Sequence, residues 1–161
     1  MTDALGRVIA ENIYSDSDIP AFDNSAMDGY AVCSSDTKNA SRDTPKILEV
    51  IDDIKAGQIS RKIIKVNQAI RIMTGAPIPK GADSVIMVEE TEKLGKDKVK
   101  IFKETEAKEN IRRAGEDIKK GECVLTKGTL LKPAHIGLLA SLGYKTPVQY
   151  EKEQLLLATK I

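Results

Sequence analysis

Pro20-Ala21-Phe22-Asp23-Asn24-Ser25-Ala26-Met27-Asp28-Gly29-Tyr30-Ala31-Val32 is the stretch from which the rest of the chain can be read. It starts as a loop, because the run Ser15-Asp16-Ser17-Asp18-Ile19-Pro20 that leads into it has side chains that cap their own backbone, then a proline. It ends in a short buried strand, Tyr30-Ala31-Val32-Cys33. Phe22, Met27 and Tyr30 are interleaved among small and polar residues and pin the loop down. Asp28 comes directly before Gly29 and the strand, so its carboxylate is held at a strand end, where a catalytic or cation-binding oxygen is usefully placed. Turn capping by Asp23, Asn24 and Asp28 is the plainer reading of the same residues.

Upstream, Arg7 to Ile13 alternates loosely and reads as a strand that runs into the loop Ser15-Asp16-Ser17-Asp18-Ile19-Pro20. Downstream, Ser34 to Thr44 is a polar connection. Apolar runs then follow at Lys46–Ile51, Ile63–Val66, Ala69–Met73, Ser84–Val88, Lys98–Phe102 and Glu122–Leu125. Each is short and punctuated by Gly, Pro, Asn or Asp, which leaves little room for crossover helices and favours coiled antiparallel sheets. The mixed charges of Thr91 to Asn110 read as a solvated hairpin and loop. One helix is expected near 133–142: Pro133 suits its first turn, Gly143 the left-handed position after its last. His135, Leu138, Leu139 and Leu142 share one face of it, with His135 a packed or interfacial residue rather than a ligand.

The chain has 161 residues, room for one compact domain or two small lobes. Lys and Arg total 25 against 24 Asp and Glu, so no basic excess is available to displace counterions from nucleic acid or an anionic membrane. Four tyrosines and two phenylalanines, with no tryptophan, are few for base stacking. Cys33, Cys123 and the single His135 cannot make a four-ligand zinc site, and two lone cysteines read as reduced, buried thiols. No signal peptide or bilayer-spanning run is legible, so a soluble cytoplasmic location is the expectation.

Two more segments are too particular for routine turns. In Arg71-Ile72-Met73-Thr74-Gly75-Ala76-Pro77-Ile78-Pro79 a strand ends in Thr-Gly and two prolines stiffen the exit. Backbone N–H groups near Gly75 can form an anion-holding concavity there, with the Thr74 hydroxyl as an extra donor. In Asn110-Ile111-Arg112-Arg113-Ala114-Gly115-Glu116-Asp117-Ile118 two guanidinium groups sit beside two carboxylates across a glycine. Arginine suits phosphate-like oxyanions and carboxylates suit Mg²⁺, but internal Arg–Asp pairing that ties two strands together reads as well.

Together and in this order, GRVIAENI (Gly6–Ile13), DIPAFDNSAMDGYAV (Asp18–Val32), IRIMTGAPIPKGADSVIMVEET (Ile70–Thr91), NIRRAGEDIKKGE (Asn110–Glu122) and IGLLASLG (Ile136–Gly143) resemble the bacterial and archaeal MoeA family of molybdopterin molybdotransferases, whose eukaryotic relatives include the E-domain of gephyrin. The resemblance implies the N-terminal region of such an enzyme: a mainly β fold of bifurcated and coiled sheets in two lobes. A flanking lobe of residues 6–28 plus 111–150 and an inserted lobe of 29–110 are implied. Residues 151–161, with Leu155-Leu156-Leu157-Ala158 as an apolar strand, would then open a molybdopterin-binding domain that does not follow.

The implied reaction is Mg²⁺-dependent insertion of molybdate into adenylylated molybdopterin with release of AMP, in homodimers whose cleft these lobes share with the partner's molybdopterin-binding domain. A molybdopterin adenylyltransferase domain or protein is an implied partner. By the same resemblance Asp28, Asp117 and Thr74 are catalytic, and Asp28 and Asp117 are the positions for Mg²⁺. Ser25, Gly75, Arg112, Arg113 and Glu116 are supporting, substrate-binding positions. The competing expectation is a non-catalytic dimerisation or assembly module, inactive without the further domain.

Overall fold

The computed structural model describes residues 4–143, so the expected strand at Leu155–Ala158 and the segment 151–161 lie outside the described residues. The chain divides into two compact units, one formed by Phe22–Arg113 and the other by Met1–Ala21 with Ala114–Ile161.

The Phe22–Arg113 unit is built on a six-stranded sheet. Its strands are β3 (Gly29–Val32), β4 (Lys46–Ile54), β5 (Gln68–Ile72), β6 (Ser84–Met87), β7 (Thr91–Leu94) and β8 (Lys98–Ile101), in the order β6-β3-β5-β4-β8-β7. Strand β3 runs antiparallel between β5 and β6, with Tyr30 opposite both Arg71 and Ile86. The sheet is buried on both faces at β3 and β6, whose residues are therefore almost continuously buried, whereas β4 carries Glu49, Asp52 and Asp53 and is partly exposed. One face carries Tyr30, Val32, Leu48, Ala69, Ile86, Val99 and Ile101. The other carries Ala31, Ile54, Ile70, Ile72 and Val85, covered by Ile64 and Ala76. Each large aliphatic side chain removed from water in these layers contributes about 1.5–3 kcal/mol.

Three features depart from the reading of the sequence. Strand β4 extends to Ile54, well past the apolar run that marks its start. It pairs with β5 in parallel, not antiparallel, and is bulged between Val50 and Asp52. Residues 55–67 supply the crossover of about a dozen residues that a parallel pair requires. Third, Ile63–Val66 is no strand: it lies in that crossover, where Ile64 N–H donates to the Lys80 carbonyl (2.9 Å). Only Ile64 is buried there, while Ile63 and Val66 face solvent at 57% and 77% exposure. The Thr91–Asn110 segment does open as a hairpin, β7 with β8. Two further strands, β2 (Asn24–Ser25) and β9 (Ile111–Arg112), pair antiparallel near the two ends of the unit.

In the other unit β1 (Ile13–Tyr14) pairs with β10 (Cys123–Leu125), and α1 spans Pro133–Ser141. Ile9, Ile13, Leu125, Leu131 and Leu139 form its core. The continuous strand expected over Arg7–Ile13 is reduced to a bridge, Val8 with Leu130, before β1 begins at Ile13. The chain bends at Ala10 and Glu11, and the Asn12 side chain is spent on accepting the Lys127 N–H (2.8 Å). Helix α1 starts at Pro133 as expected, and the Nδ1 of half-buried His135 accepts the Lys132 N–H (3.2 Å), capping the helix start. Cys33 and Cys123 are free, as expected, but not buried: Cys33 is half-buried and Cys123 exposed.

Candidate functional site

Two loops of the Phe22–Arg113 unit are laced together by their backbones, and this lacing positions Asp28. Ser25 N–H donates to the Ala76 carbonyl (3.0 Å), Gly75 N–H to the Ser25 carbonyl (2.9 Å) and Ile78 N–H to the Asp23 carbonyl (3.0 Å). Asn24 also bridges to Pro77. Gly75 holds φ +80, a left-handed conformation that glycine adopts without strain, with open space around it.

Against this frame Asp28 Oδ1 accepts two hydrogen bonds from one residue, the Thr74 N–H (2.7 Å) and the Thr74 hydroxyl (2.7 Å). These two donors hold the Asp28 carboxyl below its ordinary value of 3.8, the backbone bond more strongly than the hydroxyl, and the charge of Arg71 adds to the effect. Asp28 is fully ionised at neutral pH. Asp28 and Thr74 are both exposed, and Oδ2 has no hydrogen-bond partner among the described residues.

Gly29 explains why Asp28 is followed by a glycine. A Cβ there would lie 1.8 Å from the Ile86 carbonyl oxygen, so β3 and β6 approach more closely than any side chain allows. Val88 N–H donates to the Asp28 carbonyl (3.0 Å), and the aspartate is thereby fixed at its main chain as well as its side chain.

Not every expected role has atoms free to fill it. Ser25 is fully buried, and its hydroxyl donates to the Met27 carbonyl (2.5 Å) and accepts the Met27 N–H (3.3 Å), shaping the loop that presents Asp28. The anion-holding concavity expected around Gly75 is closed: the Thr74 and Gly75 N–H groups are taken as described, and Ala76 N–H donates to Met73 (3.0 Å). Arg112 lies in β9 and Arg113 follows it, both within the Phe22–Arg113 unit. Glu116 and Asp117 belong to the other unit, so the division of the chain falls inside that motif. Asp117 is exposed on a turn whose backbone is fixed, with its N–H on the Ile19 carbonyl (2.9 Å) and Gly115 N–H on Pro20 (2.9 Å).

Among the described residues no group of three or more His, Cys, Asp or Glu side chains is arranged to hold a metal ion. An exposed carboxylate with one oxygen pinned and the other without a partner among the described residues is still a fit for hydrated Mg²⁺, which takes one or two carboxylates and fills its remaining positions with water and substrate phosphate. Arg71, whose charge acts on Asp28, is a further residue of the site. Its signal is a charge inside the otherwise buried strand Gln68-Ala69-Ile70-Arg71-Ile72, three residues before Thr74.

A strand-rich region in two units, presenting an anchored carboxylate on a loop, matches a family model described as the MoeA N-terminal region (domain I and II) over residues 1–143. The chain belongs to this family. It is 47% identical over 147 residues to the molybdopterin molybdenumtransferase of Bacillus subtilis, covering 89% of this chain and 34% of that protein. It is 41% identical over 160 residues to molybdopterin molybdenumtransferase 2 of Mycobacterium tuberculosis, covering 99% and 39% respectively. A crystal structure of the molybdopterin biosynthesis moeA protein from Pyrococcus horikoshii superposes with a TM-score of 0.85 at 43% identity, over 89% of this chain and 38% of that one. The chain thus spans little more than a third of the length of the relatives it matches. No helix among the described residues is long and apolar enough to cross a membrane.

Proposed function

We propose that this chain acts as the N-terminal region of a molybdopterin molybdotransferase, inserting molybdate into adenylylated molybdopterin with release of AMP. The observation that carries this reading is Asp28, an exposed, ionised carboxylate with Oδ1 pinned by both Thr74 donors and Oδ2 without a hydrogen-bond partner among the described residues. A carboxylate fixed in advance orients a water, a proton donor or a cation at no reorganisation cost during reaction. Asp28 Oδ2 is the atom proposed to meet Mg²⁺, which when bound would neutralise phosphoryl oxygens of the adenylate. Thr74 is the positioning residue for that oxygen, and Asp117 is proposed as a second carboxylate of the reaction, with Arg112, Arg113 and Glu116 in support. A cytoplasmic homodimer working beside a molybdopterin adenylyltransferase belongs to the same proposal.

The test is complementation of a strain lacking its own molybdotransferase, using the variants in a full-length enzyme. Asp28→Ala and Asp117→Ala are expected to lower cofactor synthesis by about a hundredfold each, the scale of losing one preorganised electrostatic group. Wild-type synthesis from both variants would remove the assigned roles.

A second reading is favoured by length. The chain matches 34–39% of the length of these relatives. On this reading the 161-residue chain is an assembly module that turns nothing over alone. AMP release from adenylylated molybdopterin separates the two: none is expected from the chain by itself, and release at the full-length rate would discard the module reading.

A further inference from the structure

The bulge in β4 creates a second feature of the Phe22–Arg113 unit. Where β4 parts from β8, an open cleft of about 240 Å³ lies between the end of β4 and the tip of the β7–β8 hairpin. Four cationic side chains line it: Arg71 from β5, Lys93 and Lys98 from the hairpin strands, and Lys96 from the turn between them. None of the four makes an ion pair among the described residues, whereas Lys100 pairs with Glu92 and Lys103 with Glu109.

The two carboxylates in the wall do not cancel this charge. Asp52, which accepts the Ser60 hydroxyl (2.6 Å), and Asp53, opposite Arg71 in the parallel register, are two anions against the four cations, so the lining keeps a positive excess. Arg71 and the backbone of the hairpin tip are held in place. The Arg71 guanidinium lies 6.0 Å from the centre of the buried Tyr30 ring, and the hairpin tip is tied to the bulge by Val50 N–H on the Asp97 carbonyl (2.6 Å). A concave site lined mainly by one sign of charge concentrates the opposite sign, and guanidinium with ammonium groups is the donor set for tetrahedral oxyanions.

We propose that this cleft is a binding site for a tetrahedral dianion, the chemistry shared by inorganic phosphate, a phosphate ester and molybdate. It does not rest on the enzymatic reading above, since binding is measured without turnover. Isothermal titration of the 161-residue chain with sodium phosphate, and separately with sodium molybdate, at ionic strength held constant by chloride, tests it. Saturable one-to-one binding of at least one dianion is expected. Lys96→Gln with Lys98→Gln should weaken it at least tenfold, whereas Lys127→Gln with Lys132→Gln, exposed lysines of the other unit, should leave it unchanged. A preference for phosphate assigns the site to phosphate-bearing ligands, and a preference for molybdate to the free oxyanion.

The proposal is overturned if neither ion binds saturably, or if both lysine pairs weaken binding alike. Should the first pair impair folding, amide shifts of the unaltered chain decide. Perturbation confined to residues 50–53, 71 and 93–98 supports the site, and perturbation elsewhere rejects it.

Discussion

Asp28 and Thr74 are 46 residues apart, yet the threonine gives both of its donors to one oxygen of the aspartate. Thr74→Val removes the hydroxyl bond and keeps the backbone one, so the Asp28 carboxyl should move up toward its ordinary 3.8 without reaching it. A carboxyl-carbon NMR titration of both proteins reads that shift directly. In the full-length enzyme Thr74→Val should lower turnover less than Asp28→Ala does, because the backbone bond still orients the carboxylate. Equal losses would mean that Thr74 does more than position Asp28. The sequence places each residue at a strand end, which is what its turn chemistry shows. Their contact was illegible, because it depends on two loops meeting through Ser25, Gly75 and Ala76, a tertiary event that no local pattern encodes.

Individual strands are legible where burial makes them apolar, and illegible where pairing decides. The β3 and β6 runs stand out because both of their faces are buried. The parallel β4–β5 pair does not, since strand direction leaves no mark on side-chain alternation. Ile63–Val66 misleads for the opposite reason: its apolar residues are mostly solvent-facing, and one buried isoleucine anchors the crossover. Two substitutions probe these elements. Gly29→Ala drives a methyl into the Ile86 carbonyl and should cost about 3 kcal/mol or more, as overpacking against immovable backbone does. Ile70→Ala, in the fully buried centre of β5, should cost about 2–5 kcal/mol by cavity formation. Urea unfolding measures both, and a loss under 1 kcal/mol in either, by the same cavity and overpacking scales, would contradict the packing described.

For the molecule as a whole, ionisation and thiol chemistry give the simplest checks. Asp28, Asp52 and Glu109 all have carboxyls held below their ordinary values: Asp28 by Thr74, Asp52 by the Ser60 hydroxyl and Glu109 by Lys103. A depressed carboxyl stabilises the fold fully above its unfolded value and loses that contribution as pH falls through its folded one. The thermal midpoint should therefore stay level from neutral pH down to about 5 and fall below about 4. With both cysteines free, reductant should leave that midpoint unchanged, and a water-soluble thiol reagent should label Cys123 before Cys33. The pairing of β2 with β9 carries a wider consequence. Asn24 sits opposite Arg112 and Ser25 opposite Ile111, so the entrance and exit of the Phe22–Arg113 segment are stitched side by side. A segment that begins and ends at one doorway can be swapped between homologues as a cassette, or gained and lost in evolution, without rethreading the host chain.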